Sequence, residues 1–346
     1  MRRKIVGLPD GRYLAEDYID GDGVADKLTK TDVMVQVDGS DMLIDFDGTD
    51  EQVYGGVNAP MAVTRTAAYY AIKVTLNPGE PGTSGEYRPI TVTAPEGTLL
   101  NPRYPAPVVA GNHETSSRIY DTVVKAIAEV DPSLAFGAGE GSANGFSYVS
   151  HETGQMNRIR TIGGLGACPN KDGITVRSSI GNSGIISFER IEEDSPYVVT
   201  EEFSLIPDSG GAGRHRGGNA ARRVTYFDTD VQLVLTGERA KTQPFGVAGG
   251  QPGASAKHVH VAPDGEEITL KSKTNKTLEG GSRFIFHGAG GGGFGDPTNR
   301  PRDDVLEDVI NGYVTPEKAE REYEVVVDPE TFEIDHDATA RLRDGQ

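Results

Sequence analysis

The sequence has a single cysteine, a shortage of basic charge and no long apolar run. With only Cys168 available, no intramolecular disulfide can form, which fits a reducing compartment. No stretch of about 18 apolar residues occurs, so no membrane-spanning helix is expected. The opening MRRKIVGLPDGRYLAED turns polar without the apolar stretch of a signal peptide. Lys and Arg number 34 against 52 Asp and Glu, a formal net charge of -18. A broadly negative surface repels nucleic-acid phosphates and anionic membranes, so neither is expected as a partner. The expectation is a soluble cytoplasmic protein, and 346 residues suffice to bury a real core in one large or two ordinary domains.

Signatures for nucleotides and metals are also lacking. No GxxxxGKS or GxxxxGKT run exists. Gly288, Gly290 and Gly293 satisfy GxGxxG, but a dinucleotide site needs a helix opening directly behind it, and Phe294-Gly295-Asp296-Pro297 follows instead. A divalent site needs several converging ligands. His258 and His260 alternate on a predicted strand and read as core-edge or solvated residues, while His113, His151, His215 and His287 stand isolated. No metal is therefore expected on this chain. Cys168 has no histidine partner that can be named and reads as a structural thiol.

What the chain does have is glycine, 45 residues with 20 prolines, in no fixed period. These residues punctuate many short elements. Val33, Val35 and Val37 alternate with polar neighbours, Asp38 to Ser40 make a turn, and Met42, Ile44 and Phe46 alternate again, which predicts a hairpin. A helix fits 62–76. A second is marked by the stripe Ile119, Val123, Ile127 and Val130, with Ser116 or Ser117 as its cap and Asp131-Pro132 as its stop. From Gly173 onward strands dominate, over 197–200, 203–206, 222–227, 232–236, 258–262, 267–270 and 283–287. Two short helices follow at 305–310 and 316–323, the second capped by Thr315 with Pro316 at its first position. The expected class is α+β, a helix-containing N-terminal half (1–170) packed on a mainly antiparallel sandwich or barrel-like half (171–328). A polar tail (329–346) is expected to be loose.

The densest feature is Asp208 to Gly218, DSGGAGRHRGG, which sets an acid, a hydroxyl and three potentially cationic side chains among five glycines. Glycine lets the backbone approach a ligand, and arginine supplies rigid donors for carboxylate or phosphate. Such a loop can face a substrate, or it can be a structural turn whose arginines pair with surrounding carboxylates. Glu114 and Asn112, just ahead of the second helix, are candidates for contact with a substrate, although an acid near a helix N-terminus is favoured in any protein.

The DSGGAGRHRGG stretch resembles a hallmark of the hydantoinase B / oxoprolinase family, which includes N-methylhydantoinase B, the C-terminal part of 5-oxoprolinase and acetone carboxylase α subunits. Other segments agree in order. Asp45 to Asp50 resembles DFSGT, Val57 to Pro60 the following NAP, Pro95 to Thr98 and Leu100 to Pro102 the PEGS and LNP pieces, and Gly111 to Arg118 is similar to GNVETSQR with His113 and Ser117 as departures. Thr161 to Ala167 resembles TIGGGXGA, Phe245 to Gly253 GLAGGKPG, and Gly290 to Pro297 PGGGGYGDP. A further departure follows Asn182, where the family commonly has an NTPVE-like run.

The resemblance implies the C-terminal portion of a B-type subunit in a hetero-oligomeric, ATP-dependent complex that hydrolyses a cyclic amide or imide. ATP would phosphorylate the amide and water would open the ring. The family's NDPY-like, THLPD-like and paired-histidine segments do not occur here. ATP with Mg and a divalent metal are thus expected on partner polypeptides: a hydantoinase A-type ATP-binding subunit and a separate N-terminal B fragment. The site candidates are Asn112, Glu114, Thr161, Gly163, Gly164, Asp208, Arg214, His215 and Arg216, with the two arginines as anion binders. The alternatives are a subunit of an acetone-carboxylase-like enzyme and a non-catalytic scaffold.

Overall fold

The computed structural model describes residues 1–142, 145–177, 180 and 184–343, so Asn182 and Ser183, where the departure from the NTPVE-like run begins, lie outside the described residues. The chain forms two compact units, one made almost wholly of Met1–Phe136 and one holding Gly137–Glu140 and nearly all of the chain from residue 145 onward.

The first unit follows the periodicity of its sequence. After a single turn, α1 (Arg2–Ile5), strands β1 (Gly11–Ile19), β2 (Thr29–Asp38) and β3 (Asp41–Asp45) pair antiparallel, and β4 (Ile90–Thr93) adds parallel to β3. The predicted hairpin is β2–β3, closed at Asp38 opposite Asp41 with Gly39 at φ +56°. Alternate residues of β2 are buried, Val33 and Val35 completely, because successive side chains of a strand point to opposite faces. Helices α2 (Met61–Leu76) and α3 (Ser116–Val130) pack together, and Ile119, Val123 and Ile127 carry the α3 stripe into the core.

One expectation about α3 is corrected. Neither Ser116 nor Ser117 caps it, because a π-turn at Gly111–Thr115 leads into the helix, and both hydroxyls bond backward to the carbonyls of Asn112 and His113 at 2.8 and 2.7 Å. Asp131 ends the helix as expected, and Pro132 opens a short 3-10 turn.

The second unit is a sandwich of open antiparallel sheets. Its strands are β5 (Gly145–Ser150), β6 (Met156–Ile159), β7 (Val198–Leu205), β8 (Ala221–Phe227), β9 (Val231–Thr236), β10 (Lys257–Val261), β11 (Glu267–Thr269), β12 (Lys273–Leu278) and β13 (Arg283–His287). One sheet runs β11-β10-β13-β8-β7, the other β12-β9-β5-β6. Their inner faces share one core, in which Phe146 meets Phe284 edge-on at 4.8 Å and Tyr148 meets Phe227 at 5.4 Å. The stretches predicted at 197–200 and 203–206 are one strand, β7, with a bulge between Thr200 and Glu202. Helix α4 (Phe188–Asp194) precedes it, with Ser187 as cap.

His258 and His260 lie on the inner face of β10, both buried. His260 sits 3.1 Å from the Ser282 hydroxyl through Nε2, and the Lys276 ammonium lies 3.1 Å from Nδ1. The ammonium can only donate, so Nδ1 is the acceptor and the ring is neutral. Burial and the Lys276 charge push His260 below the usual 6.5, and burial with Arg222 and Lys257 does the same for His287. Both groups are neutral in either state at pH 7.5. Below about pH 6.5 the unfolded chain takes up the protons first, so stability falls with pH until the folded pKa values are passed. We expect a lower urea midpoint at pH 5.5 than at 7.5, with the difference reduced in His260→Gln. An equal pH dependence in wild type and variant would remove His260 as its source.

Between and beside the sheets, five glycine-rich stretches pack backbone against backbone. Gly288–Gly293 runs at the centre. Its amides and carbonyls bond successively to Ala221, Gly164, Ala254, Gly218 and Gly211, Ala138 and Ala167, and Gln251 and Val247, at 2.8–3.0 Å. A strand in a sheet bonds to two neighbours; this segment bonds on several sides. Such proximity excludes side chains. A Cβ on Gly164 would lie 1.8 Å from the Gly218 carbonyl oxygen, and one on Gly291 would lie 1.9 Å from that of Leu165.

Helices α5 (Arg302–Ile310) and α6 (Pro316–Tyr323) close a smaller core with Ala212, Val314 and Val327. Thr315 caps α6 through its hydroxyl, as expected. Residues 329–343 are not loose: Val327 bridges to Ile334, and α7 (His336–Arg343) is tied down by the Arg343 guanidinium on the Tyr323 and Arg300 carbonyls at 2.8 and 2.9 Å.

Candidate functional site

The glycine-rich run 208–218 is an inner part of the second unit. Asp208 adopts φ +64° and turns its carboxylate to the start of α6, accepting from the Thr315 amide and hydroxyl at 2.8 Å each. Lys318, almost fully buried, donates its ammonium to the carbonyls of Asp208 and Gly210 at 2.7 and 2.8 Å. Burial pulls its pKa down, against the opposing charges of Glu322 and Asp208. These groups line a concavity of about 800 Å³ with Gln243, Gln251 and Asp296.

Of the three cationic candidates in the run, only Arg214 is exposed. Arg216 is buried, with its guanidinium on Asp308 at 3.2 Å, on the Gly217 carbonyl at 2.9 Å and over the Tyr313 ring at 4.6 Å. Behind it, Arg300 forks onto both oxygens of Asp172 at 2.8 Å and reaches Asp308 at 2.8 Å. Burial opposes the charge on Asp172, yet the Arg300 fork and Arg216 hold it below the usual carboxylate range. His215 lies beside the same carboxylate, 3.7 Å from it. The structural-turn alternative describes Arg216, whose guanidinium pairs with the internal carboxylate of Asp308.

Thr161, Gly163 and Gly164 are buried within the glycine packing. Gly163 meets a group that the sequence does not single out, the carboxylate of Glu140. It accepts from the Ala289 amide at 3.1 Å and from the Gly163 amide. The only signal for it was a lone acid in the run GAGEG, 137–141. Thr161 Oγ1 has no hydrogen-bond partner among the described residues.

The other candidates belong to the first unit. Asn112 is exposed. Glu114 is fully buried; its Oε1 lies 2.9 Å from His113 Nδ1, and its Oε2 has no hydrogen-bond partner among the described residues. One turn on, Arg118 is buried against Asp17 at 3.0 Å and Asp121 at 3.4 Å. Asn58 holds the preceding loop by donating to the carbonyls of Val53, Gly55 and Pro107. The candidates therefore fall into three groups: Asn112 and Glu114, Thr161 to Gly164 with Glu140, and Asp208 to Arg216 with the Arg300 network.

Among the described residues no three His, Cys, Asp or Glu side chains converge as a metal-holding set. Burial pushes the Cys168 thiol up, away from the thiolate that a nucleophile needs. Behind Gly288–Gly293 comes a 3-10 turn, Pro297–Asn299, and not the helix that a dinucleotide site requires.

Comparison with known proteins adds the relationships. The family model described as "Hydantoinase B/oxoprolinase" matches residues 1–297. The B-type subunit of a putative D-/L-hydantoinase from Pseudomonas sp. is 34% identical over 358 residues, covering 99% of this chain and 60% of that protein. The solved ATP-dependent caprolactamase from Pseudomonas jessenii superposes with a TM-score of 0.84 at 26% identity, over 99% of this chain and 61% of that one. A nucleotide-free acetone carboxylase also gives 0.84 at 18% identity, over 99% and 53%, a likeness of fold. The chain spans about three fifths of the length of the first curated relatives it matches.

Proposed function

The chain belongs to the hydantoinase B/oxoprolinase family, and from that premise we propose that it is the C-terminal portion of a B-type subunit in an ATP-dependent complex that opens a cyclic amide or imide. The observation that carries this reading is the family match over most of the chain, joined to a superposition on an ATP-dependent caprolactamase over nearly all of it. ATP is assigned to a hydantoinase A-type partner and the divalent metal to the part of the B-type length that this sequence does not cover. The described residues offer neither a metal-holding set nor a phosphate loop of the GxxxxGKS kind.

Within that complex this chain would shape and enclose the reaction space. Arg214 is the exposed cation of the glycine-rich run and the group available to a phosphorylated intermediate. Arg216 and Arg300 fix the loop that presents it. A phosphorylated amide is a better electrophile than the amide itself, so a surface that binds the added negative charge favours ring opening over return of the phosphate.

The test is reconstitution. The chain is combined with an A-type subunit and the remaining B-type portion, and hydantoin, 5-oxoproline and caprolactam are each assayed for ring opening coupled to ADP and phosphate release. Turnover of one of them by the full mixture, and by no mixture lacking this chain, is the expected result. Fixation of labelled bicarbonate without ring opening would replace the hydrolase reading by the carboxylase one. Undiminished turnover without this chain would leave it a scaffold.

A further inference from the structure

Arg223 is the group in the second unit whose environment is hardest to reconcile with stability alone. It lies in β8, opposite Phe286 of β13 and Phe203 of β7, and shares the inner face of the sheet with Phe227. The side chain is fully buried. Its guanidinium makes one long hydrogen bond, from Nη1 to the Thr200 hydroxyl at 3.3 Å. Nε and Nη2 have no partner among the described residues, and no carboxylate pairs with it there. The remaining neighbours are aromatic: Phe203 at 4.5 Å and Phe188 at 5.3 Å from the guanidinium carbon. Desolvation alone pulls its pKa down to about 10.

Two aromatic faces attract a guanidinium but leave its N–H donors unsatisfied. Burying a charge and its donors in that state is unfavourable, so a fold selected for stability alone would place a methionine or leucine here. Residues that break such a local rule are expected at functional or strained sites. Of the two rings over Arg223, Phe188 reaches the surface. Phe188 is 39% exposed, and Ile185, Ile186 and Leu205 beside it in the sequence or on β7 are exposed to a similar degree. An anion reaching the two free donors would displace the edge of one phenyl ring and rest its own apolar part on that rim.

We propose that Arg223 is the anchor of a binding site for a small carboxylate carried on an apolar stem, the carboxylate seated on Nε and Nη2 and the stem on the Phe188, Phe203 and Leu205 surface. Nε and one terminal nitrogen form the fork that receives a carboxylate edge-on with two parallel bonds. The rim supplies the burial that a bare anion such as acetate lacks. This inference does not rest on the ring-opening reading, since none of these residues belongs to the groups assigned to it.

The experiment uses the full 346-residue chain with hexanoate as the probe and hexanol as its uncharged counterpart, followed by titration calorimetry and thermal melting. Hexanoate should bind saturably, at least tenfold more tightly than acetate, and hexanol should give no saturable heat. Arg223→Met should abolish the hexanoate heat while raising the melting temperature of the ligand-free protein, and Arg223→Lys should weaken binding at least tenfold, because an ammonium cannot make the paired contact. The proposal is overturned if wild type gives no saturable hexanoate binding. It is equally overturned if Arg223→Met binds as wild type does, or if that variant melts lower than wild type, which would make the arginine a structural residue.

Discussion

Gly291→Ala should abolish folding of the second unit. The added carbon would lie 1.9 Å from the Leu165 carbonyl oxygen and 2.2 Å from its carbon. These are backbone atoms, so no rotamer change relieves the contact. Moving the segment away breaks the bonds from the Gly211 amide to the Gly291 carbonyl and from the Gly291 amide to the Gly218 carbonyl, at 2.8 and 2.9 Å. Ordinary overpacking costs about 1–3 kcal/mol because side chains give way. Here several buried backbone groups lose their partners as well, at about 1–3 kcal/mol each, and the sum approaches the roughly 5–15 kcal/mol by which a domain is stable. The control is Gly79→Ala, where the added carbon has nothing within 4 Å. Recovery in the soluble fraction and a calorimetric melt decide the matter. A Gly291→Ala protein melting within a few degrees of wild type would show that the packing is looser than described.

The second large effect is expected from the buried ion network. Arg300→Ala removes both bonds to Asp172, the contact with Asp308 and the bond to the Arg214 carbonyl. Asp308 then keeps Arg216 as its counter-ion, while Asp172 retains the Arg216 amide and the half-exposed His215. Removing one partner from a buried pair costs about 3–5 kcal/mol, and urea titration should show a loss of that size for Arg300→Ala and a comparable or smaller one for Arg216→Ala. Arg214→Ala, on an exposed side chain, should change stability by less than about 0.5 kcal/mol while lowering turnover of the reconstituted complex. The reverse pattern, with Arg216→Ala stable and inactive and Arg214→Ala silent, would return the anion-binding role to Arg216.

How far the sequence could be read depended on whether a residue's partner lay nearby in the chain. The β2–β3 hairpin and the α3 stripe were legible because each is a periodic pattern over a few turns or pleats, and the Thr315 cap because it acts three residues away. Strand β1 was missed because Arg12, Glu16 and Asp17 interrupt any apolar alternation, and its pairing with β2 is made by the backbone. The units part near Phe136, whereas the change in sequence character falls near residue 170, since β5, with β6 paired to its other edge, pairs with β9 more than eighty residues farther on. The glycine runs were the hardest to interpret. A local reading sees a loop able to approach a ligand, while the actual neighbours of Gly291 are Leu165 and Gly218, themselves far apart in the chain. Arg216 was assigned to anions for the same reason, because its counter-ion Asp308 lies 92 positions away.

The glycine packing also bears on how stability varies with temperature. The heat capacity of unfolding rises with the apolar surface exposed and falls with the polar surface exposed. Where extended segments touch through peptide groups, unfolding releases amides to water and almost no hydrocarbon, so this part of the second unit adds little to that heat capacity and can subtract from it. The stability curve of the unit is correspondingly flatter than its number of ordered residues would suggest, with less weakening on cooling than a core built from leucine and phenylalanine.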